Sequence, residues 1–441
     1  MESADSESLT LPPTGRVGEF RCAAAARARA ESLAGTAPQV NGFLLLEEPG
    51  PWGIKAWRDA RLPEGFGLEL QQRCAAVNLK ALLIRRGTGE RGTGERGIVG
   101  ERSTRERGTG ERGTGERGSV GERRISERGP GGPRRVFVAS TLSPNGFVET
   151  TTVRDSRELL DLDLAALAAG RSPGLTPTHE PLFAVCTHGK HDACCAERGR
   201  PVLAAMESVA MESTALESVA PQSVWGVSHL GGHRFAAMML VLDPAVVGSG
   251  GGGLYYGGLD PESVRKVAAA HRAGHLDLDQ LRGRTSVTMP IQAAEIGLRR
   301  HLGHTTHGGV RLVEAIAHRH PGGEDAATVT FAIAAPSSPA SAPNAPADRH
   351  PGGEEAATVT FAIAAPSSPE SAGNAPADAT DAPANAGIAA ADAGSGAEVR
   401  WQVEVRSRHT GAERVSCSSE DREPLTTWRC DAIRPAPAIP S

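Results

Sequence analysis

Two short ligand-rich stretches between residues 183 and 233 constrain this chain more than any other feature of its sequence. The first follows the apolar run Pro-Leu-Phe-Ala-Val and contains Cys186 and Cys195. The second follows Val-Trp-Gly-Val and contains His229 and His233. An apolar run that ends in a glycine-containing turn is typical of a strand that delivers side chains to the rim of a sheet. We therefore expect two strands that bring ligands to the rim of an α/β fold.

Two thiolates and two imidazoles are suitable ligands for a zinc or an iron-sulfur centre. The segment between the two histidines is predicted to be a loop, because Gly231 and Gly232 would each cost about 1 kcal/mol in a helix interior. A turn, in contrast, uses glycine for positive φ and for close approach of the backbone to a bulky group. These residue types predict one metal centre, which either iron-sulfur or zinc would satisfy.

Two other kinds of metal site are excluded by the same stretches. His-Leu-Gly-Gly-His lacks the Glu that follows the first His in His-Glu-x-x-His metalloproteases, so no general base is supplied for zinc-assisted hydrolysis. Cys186-Thr-His188 has the Cys-x-His form of half a Rieske site. The residues three positions after Cys194 and Cys195 are Glu197 and Arg198, however, so the second half of that site is missing.

At these residues the sequence resembles the sucrase/ferredoxin-like proteins, a family with thioredoxin-like [2Fe-2S] ferredoxin domains. The family pattern Cys-x-His-x-x-x-Asp-x-x-Cys is matched by Cys186-Thr-His-Gly-Lys-His-Asp-Ala-Cys-Cys195. The second pattern, His-x-Gly-Gly-His followed by Arg-Phe-Ala, is matched by residues 229–236. The resemblance extends to residues 33–38, 49–53, 254–257 and 292–295, and it fails at residues 87–129, around 206–220 and at 336–396.

The resemblance implies that Cys186, Cys195, His229 and His233 bind a [2Fe-2S] cluster. The implied function is electron transfer to or from a redox partner protein, coupled to proton uptake, and the protein is expected to be a carrier more than an enzyme. The alternative is a binding or scaffold protein in which the same four residues hold a structural zinc. Glycoside hydrolysis finds no support, because no pair of acidic residues stands out as acid and nucleophile.

Bulk composition limits the partners and the location. The formal net charge of −5 is small, so it indicates neither the excess of basic residues typical of a nucleic-acid-binding protein nor a long acidic segment. The N-terminus is acidic and polar, unlike a signal peptide, and the longest clean apolar run, residues 236–242, is far too short to span a membrane. Seven cysteines in a chain without a secretory signal favour metal ligands or free thiols. We expect a cytoplasmic protein that binds neither nucleic acid nor membrane.

The 441 residues include 53 Gly and 31 Pro with only 4% aromatic residues, so long insertions around a packed core are expected. Residues 86–129 repeat Arg-Gly-Thr-Gly-Glu with almost no apolar side chains, and residues 336–396 are rich in Pro and Ala; both are predicted to be disordered. The predicted organisation is a disordered tail (1–18), an N-terminal α/β domain (19–172), a thioredoxin-like ferredoxin domain (173–308), and a C-terminal β module (309–335 and 397–432).

The predicted elements alternate as expected of an α/β layer. Strands are expected at 39–48, 80–84, 135–139, 145–153, 181–186, 223–228, 236–242 and 253–257, and helices at 22–33, 68–77, 157–169, from 195 onward, at 261–273 and at 291–302. The segment that begins at His320 recurs from His350. Its Thr-Val-Thr-Phe-Ala-Ile strand is expected to pair with residues 399–405, and one copy suffices for that pairing.

The other cysteines give weaker signals. Cys194 is interpreted as a small buried residue at a helix start, with a reactive thiol as the alternative. Cys417 and Cys430 are interpreted as structural thiols or an incidental pair, because no His follows at zinc-finger spacing; a second metal site is the alternative.

Overall fold

The computed structural model of the protein describes residues 20–87, 132–142, 146–212, 220–248, 252–320, 324–334, 357–362 and 398–436. Within these ranges the chain is a mixed α/β structure with one large and one small sheet, which confirms the predicted fold class. The predicted tail at 1–18, nearly all of the insertion at 86–129 and most of the segment at 336–396 lie outside the described residues.

The described strands occupy the following positions in chain order: β1 (Gly42–Glu47), β2 (Leu79–Arg85), β3 (Arg134–Ser140), β4 (Phe147–Val153), β5 (Thr176–Pro177), β6 (Leu182–Cys186), β7 (Val224–Val227), β8 (Met239–Leu242), β9 (Leu254–Tyr256), β10 (Leu281–Arg284), β11 (Val310–Arg319), β12 (Asp325–Ala334), β13 (Ala357–Ala362), β14 (Glu398–Arg414) and β15 (Arg422–Pro435).

The described helices are α1 (Cys22–Ala28), α2 (Ala56–Asp59), α3 (Phe66–Ala76), α4 (Leu164–Ala168), α5 (Ala193–Glu212), α6 (Pro244–Gly248), α7 (Pro261–Arg272) and α8 (Met289–Leu302). Helix α7 begins as the sequence predicts, because Asp260 caps the amides of Glu262 and Ser263 and Pro261 occupies the first turn. Of the helices in the described ranges, none has the length and apolar character needed to cross a membrane.

Ten strands form one sheet in the order β10-β9-β8-β6-β7-β2-β1-β3-β4-β5. In its first half, β1 runs parallel to β2 with α3 between them in sequence, and antiparallel to β3, which pairs with β4. The second half repeats this order: β6 runs parallel to β7 with α5 between them, and antiparallel to β8, which pairs with β9. Two regions predicted from sequence as separate domains thus share one topology.

The two halves meet where β2 and β7 pair antiparallel, with Ile84 opposite Val227 and Arg85 opposite Gly226. The sheet is therefore continuous from the first α/β region into the second. Ser228 tightens this junction, because its hydroxyl accepts a hydrogen bond from the amide of Leu83 at 3.0 Å. The domain boundaries themselves stay a prediction, while the junction brings the carboxyl ends of the strands from both halves close together.

Side chains alternate between the two faces of the central strands, as the period of a strand requires. In β6, Phe183 and Val185 pack with residues of α5 and α7 on one face. Leu182, Ala184 and Cys186 point to the other face, where Cys195 joins the same buried group. This register places the first predicted ligand in the core at the end of its strand.

One predicted helix was wrong in form. Residues 157–169 do not make a single helix, because the chain forms a 3-10 helix at Ser156–Asp161, becomes extended at Leu162 and starts again as α4. Each piece has its own acidic cap: Asp155 accepts from the amide of Arg157, and Asp163 accepts from the amide of Ala166. The second cap competes with helix continuation and restarts the helix.

The C-terminal strands form a second sheet in the order β11-β12-β14-β13-β15. The predicted pairing is confirmed, since β12 and β14 are antiparallel with Val329 opposite Val403. Residues 357–362 correct the prediction of a disordered linker at 336–396, because the second copy of the repeat also forms a strand. Its Thr-Val-Thr-Phe sequence has the same β propensity as the first copy. Helix α8 packs on this sheet through Ala294 and Leu298.

Candidate metal centre

The four predicted ligands lie at or just after the ends of two neighbouring parallel strands, β6 and β7. Cys186 is the last residue of β6, and His229 follows the end of β7 by two residues. Cys195 lies in the first turn of α5, and His233 opens a short 3-10 helix. Because β6 and β7 are parallel neighbours, their carboxyl ends lie at the same edge of the sheet. The strand-to-turn pattern in the sequence therefore predicted the position of these residues at the sheet edge, and their role as ligands stays a prediction.

The turn between the histidines depends on its two glycines. Gly231 and Gly232 have φ values of +91° and +77°, a region that favours glycine. A Cβ on Gly232 would lie 2.6 Å from Nη2 of Arg282. The Arg282 guanidinium is buried and donates to the carbonyl of Gly231 at 3.1 Å, while Lys80 Nζ donates to the carbonyl of Leu230 at 2.8 Å. Two cations thus hold the turn by its carbonyl groups.

The ligand atoms fall into two groups that share one histidine. Cys186, Cys195 and His229 each offer an atom within 4.8 Å of the other two. His229, His233 and His191 form a second group with the same spacing. The structure therefore brings all four predicted residues together and adds His191, whose ring lies 3.9 Å from that of His229.

The electrostatics of the site favour the metal-binding forms of Cys186 and His229 and the protonated form of Cys195. A hydrogen bond from the Cys195 thiol, with backbone amides and the charge of Lys80, lowers the pKa of Cys186, whereas the same hydrogen bond and burial raise the pKa of Cys195. Burial, reinforced by the neighbouring His191 and His233, lowers the pKa of His229 to about 2. His229 is therefore neutral at physiological pH, which is the form that binds a metal.

The histidine nitrogens provide a direct test of whether these residues fit a metal group. The Nδ1 atoms of His229 and His233 are buried and have no hydrogen-bond partner among the described residues. A buried polar atom without a partner is costly and is normally satisfied by protein, water or a bound ion. Two thiols and two such nitrogens at one edge match the donor set of a zinc or an iron-sulfur centre. The residues present therefore fit the group.

Residues from the first half of the sheet support the ligand loop. His188, in the middle of the first motif, shares a hydrogen bond of 2.9 Å between its Nε2 and the carbonyl of Gly53. Its ring meets the Trp52 ring edge-on with 5.8 Å between centroids. These contacts attach His188 to the first half of the sheet. In the sequence, His188 was recognisable only as part of the first motif.

A cleft of about 350 Å³ opens beside the histidines. Its lining includes His188, His191 and His229, together with residues of α2 and α3 such as Trp57 and Gln71. The histidine side of the site is therefore the side that faces solvent, while Cys186 and Cys195 are fully buried.

Sequence reasoning missed the environment of the remaining cysteines. Cys417 does not pair with Cys430, whose thiol donates to the carbonyl of Ala293 at 3.7 Å. Cys417 lies instead beside Cys194, with 3.3 Å between the two sulfur atoms. Asp192, which contacts both residues, was visible in the sequence only as part of the first motif.

Comparison with known proteins supplies the family. No curated protein and no solved structure matches the chain. The family described as Sucrase/ferredoxin-like matches residues 33–283, which is more than half of the 441 residues. The matched region contains β1 through most of β10, and with them the ligand loop, the Gly-Gly turn and the buried Arg282. As the two motifs predicted, the chain belongs to the sucrase/ferredoxin-like family.

Proposed function

We propose that the protein transfers single electrons through a [2Fe-2S] cluster held by Cys186, Cys195, His229 and His233. The observation that carries this proposal is the pair of buried imidazole nitrogens without partners, next to two buried thiols at the same edge of the sheet. Membership of the sucrase/ferredoxin-like family supports it. A bound [2Fe-2S] cluster supplies reversible one-electron chemistry.

The chain sets the charge around such a group. Two thiolates contribute negative charge, and two neutral imidazoles contribute none, so the site is less negative than one built from four cysteines. The nearby cations Lys80 and Arg282 add positive charge, although burial lowers the pKa of Lys80 to about 8. We therefore expect a reduction potential above the roughly −400 mV of four-cysteine plant-type ferredoxins.

The imidazoles also give the site a place to hold a proton. If the partnerless Nδ1 atoms bind the metal, each Nε2 keeps the exchangeable proton. His233 Nε2 lies 3.9 Å from Oδ2 of the buried Asp192, a carboxylate that stabilises a protonated imidazole. An imidazole on iron is more acidic when the iron is ferric. Reduction should therefore favour proton uptake at His229 or His233.

The cleft beside the histidines is the proposed docking place for a redox partner protein. Its wall contains His188, His191 and His229, so a docked protein would approach the imidazole side of the centre and not the buried thiols. The proposed location of the protein is the cytoplasm.

The proposal is tested by anaerobic purification of the full chain, followed by iron, sulfide and zinc analysis and visible spectroscopy. We expect two irons and two sulfides in the site and a visible absorption that bleaches on one-electron reduction. A colourless protein without iron after reconstitution with iron and sulfide would contradict it.

A structural zinc is the second candidate for the same residues. It is favoured by the compactness of Cys186, Cys195 and His229, which all lie within 4.8 Å of one another, as ligands of one metal ion must. Zinc is colourless and redox-inactive, so zinc bound in place of iron at this site, with no visible absorption, would select this candidate.

A further inference from the structure

Three thiols from distant parts of the chain meet beside the ligand loop. Cys22 is the first residue of α1, Cys194 is the second residue of α5, and Cys417 lies in the connection between β14 and β15. The sulfur of Cys417 lies 3.3 Å from that of Cys194 and 3.5 Å from that of Cys22. We call these residues the three-cysteine group. None of them is among the four proposed cluster ligands.

A buried carboxylate completes the set. The two oxygen atoms of Asp192 lie 3.6 and 3.7 Å from the sulfur of Cys22, and all four residues offer ligand atoms within 4.8 Å of one another. Asp192 is only 1% exposed. In the described part of the chain its one ion-pair contact is with His233, at 3.9 Å. A carboxylate this deeply buried normally has a cation beside it.

The distances suit a metal ion better than a disulfide. A disulfide requires about 2.05 Å between sulfur atoms. Tetrahedral zinc, with Zn–S bonds of about 2.3 Å and Zn–O bonds of about 2.1 Å, sets neighbouring sulfurs about 3.8 Å apart and a sulfur and an oxygen about 3.6 Å apart. The observed contacts of 3.3 and 3.5 Å between sulfurs and 3.6 Å to oxygen need only a small expansion to reach those values.

The surroundings orient the donors as the outer partners of a metal site do. The amides of Cys194 and Cys417 donate to Asp192 at 3.0 and 2.8 Å, and the hydroxyl of Ser416 donates at 3.2 Å. The amide of Cys22 donates to the sulfur of Cys417 at 3.4 Å. Cys194 also lies in the first turn of the 20-residue helix α5, whose positive end favours a thiolate.

We propose that the three-cysteine group and Asp192 bind one structural zinc ion. The ion would link α1, the ligand loop and the β14–β15 connection, which are otherwise far apart in sequence. It would also balance the charge of Asp192, the carboxylate next to His233. The site goes beyond the proposed electron-transfer function and does not depend on it.

The test compares metal content in full-length variants purified from zinc-supplemented cells. Cys417→Ser is the informative change, because Cys417 is the most exposed member of the group. We expect it to lose one zinc per chain relative to the parent and to keep the parent's iron content and visible spectrum. The matched control is Cys430→Ser, because Cys430 is also partly buried and lies on β15, next to the connection that holds Cys417. This control should keep both its zinc and its iron. Cys186→Ala should show the reverse of Cys417→Ser, with iron lost and zinc kept.

A cobalt spectrum of the unmutated protein tests the site without any variant. Cobalt in a thiolate-rich tetrahedral site should give intense sulfur-to-metal charge-transfer absorption and visible d–d bands, measured against a parallel sample without cobalt. Equal zinc in the parent and in Cys417→Ser would overturn the proposal. So would a cobalt-loaded parent without those bands, or a Cys194–Cys417 disulfide found by mass spectrometry of the alkylated, unreduced protein.

Discussion

The two halves of the ten-stranded sheet share one topology but differ at the ends of equivalent strands. In the second half, β6 ends at Cys186 and runs into the ligand loop. In the first half, β1 ends at Glu47 and runs into Glu-Pro-Gly-Pro-Trp-Gly, which contains neither cysteine nor histidine. The same architecture thus delivers side chains to the same kind of position, while the chemistry depends on which residues stand there.

The first half is nevertheless part of the site. Its loop presents the Trp52 ring and the Gly53 carbonyl to His188, and Lys80 of β2 holds the turn of the second half. One half carries the proposed ligands, and the other half contacts the loop and the turn on which they lie. This division of labour makes four predictions, which we give from the largest expected effect to the smallest.

The largest effect is expected from removing a ligand thiol. Cys186→Ala should abolish nearly all iron and sulfide binding, because one of two thiolates is lost from the centre. Cys74→Ala is the matched change in the first half, since Cys74 is as deeply buried but packs in a different apolar group from Cys186 and Cys195. That control should keep its iron. Iron and sulfide analysis decides between them, and full occupancy in Cys186→Ala would contradict the ligand assignment.

Replacing Trp52, the side chain of the first half that contacts His188, should reduce iron binding less than removing a ligand does. Trp52→Ala should lower the free energy of unfolding by about 3–5 kcal/mol, because a buried aromatic side chain is lost. It should also reduce iron retention, since His188 loses its edge contact and the Nε1 hydrogen bond that holds the loop to Glu48 is gone. Denaturant unfolding and iron analysis measure the two effects.

Phe66→Ala serves as the control for that experiment. Phe66 is buried in the same apolar group as Trp52, and among the described residues it neither lines the histidine cleft nor has a ring contact with a histidine. We expect a similar loss of stability with iron retained. Equal loss of iron in both variants would show that Trp52 affects iron binding only through the stability of the fold.

A smaller effect is expected from the glycine turn. Gly232→Ala should destabilise the protein by about 1–3 kcal/mol and lower iron occupancy, because φ is +77° and the new methyl group would meet Arg282. Gly65→Ala, in the first half, shares the positive φ at +74° but meets nothing within 4 Å. This variant should lose only the free energy that it costs to place alanine at a positive φ, and its iron content should be unchanged. Thermal unfolding and metal analysis separate strain from clash.

The last prediction concerns pH and applies only to the half that carries histidines. Oxidation of the centre lowers the imidazole pKa and reduction raises it, so the reduced form binds a proton between the two values. The reduction potential should then fall by about 59 mV per pH unit as pH rises through that window. Voltammetry from about pH 5 to 10 measures it. A potential that does not change with pH would show that neither His229 nor His233 takes up the proton.

The positions of the candidate ligands in the fold were predictable because the sequence signals that place them are local. A strand followed by a glycine-containing turn places Cys186 and His229 at a sheet rim whatever surrounds them, and Gly231–Gly232 marks a turn through its backbone requirement alone. Most helices and strands in the described ranges were located for the same reason. The helix predicted at 157–169 is two separate helices in the structure because Asp155 and Asp163 each cap one of them, a signal that the apolar spacing does not contain.

The contacts between remote segments around the candidate site were not predictable. The residues near Cys22 and Cys417 in sequence do not indicate that the two sulfur atoms lie 3.5 Å apart, although the residues are 395 positions apart, because three-dimensional proximity has no local signature. The pairing of β2 with β7 is of the same kind, as is the buried Arg282 beneath the Gly-Gly turn.

The sequence by itself determined the family, the thiol and imidazole side chains of the candidate site and most of the strands and turns that carry them, since each is encoded within a few neighbouring residues. Only the tertiary structure decided which atoms lack partners, which cations hold the turn, and that Asp192 stands between two groups of cysteines and histidines. Those properties depend on burial and on distances between remote segments, which exist only once the two halves and the second sheet have packed together.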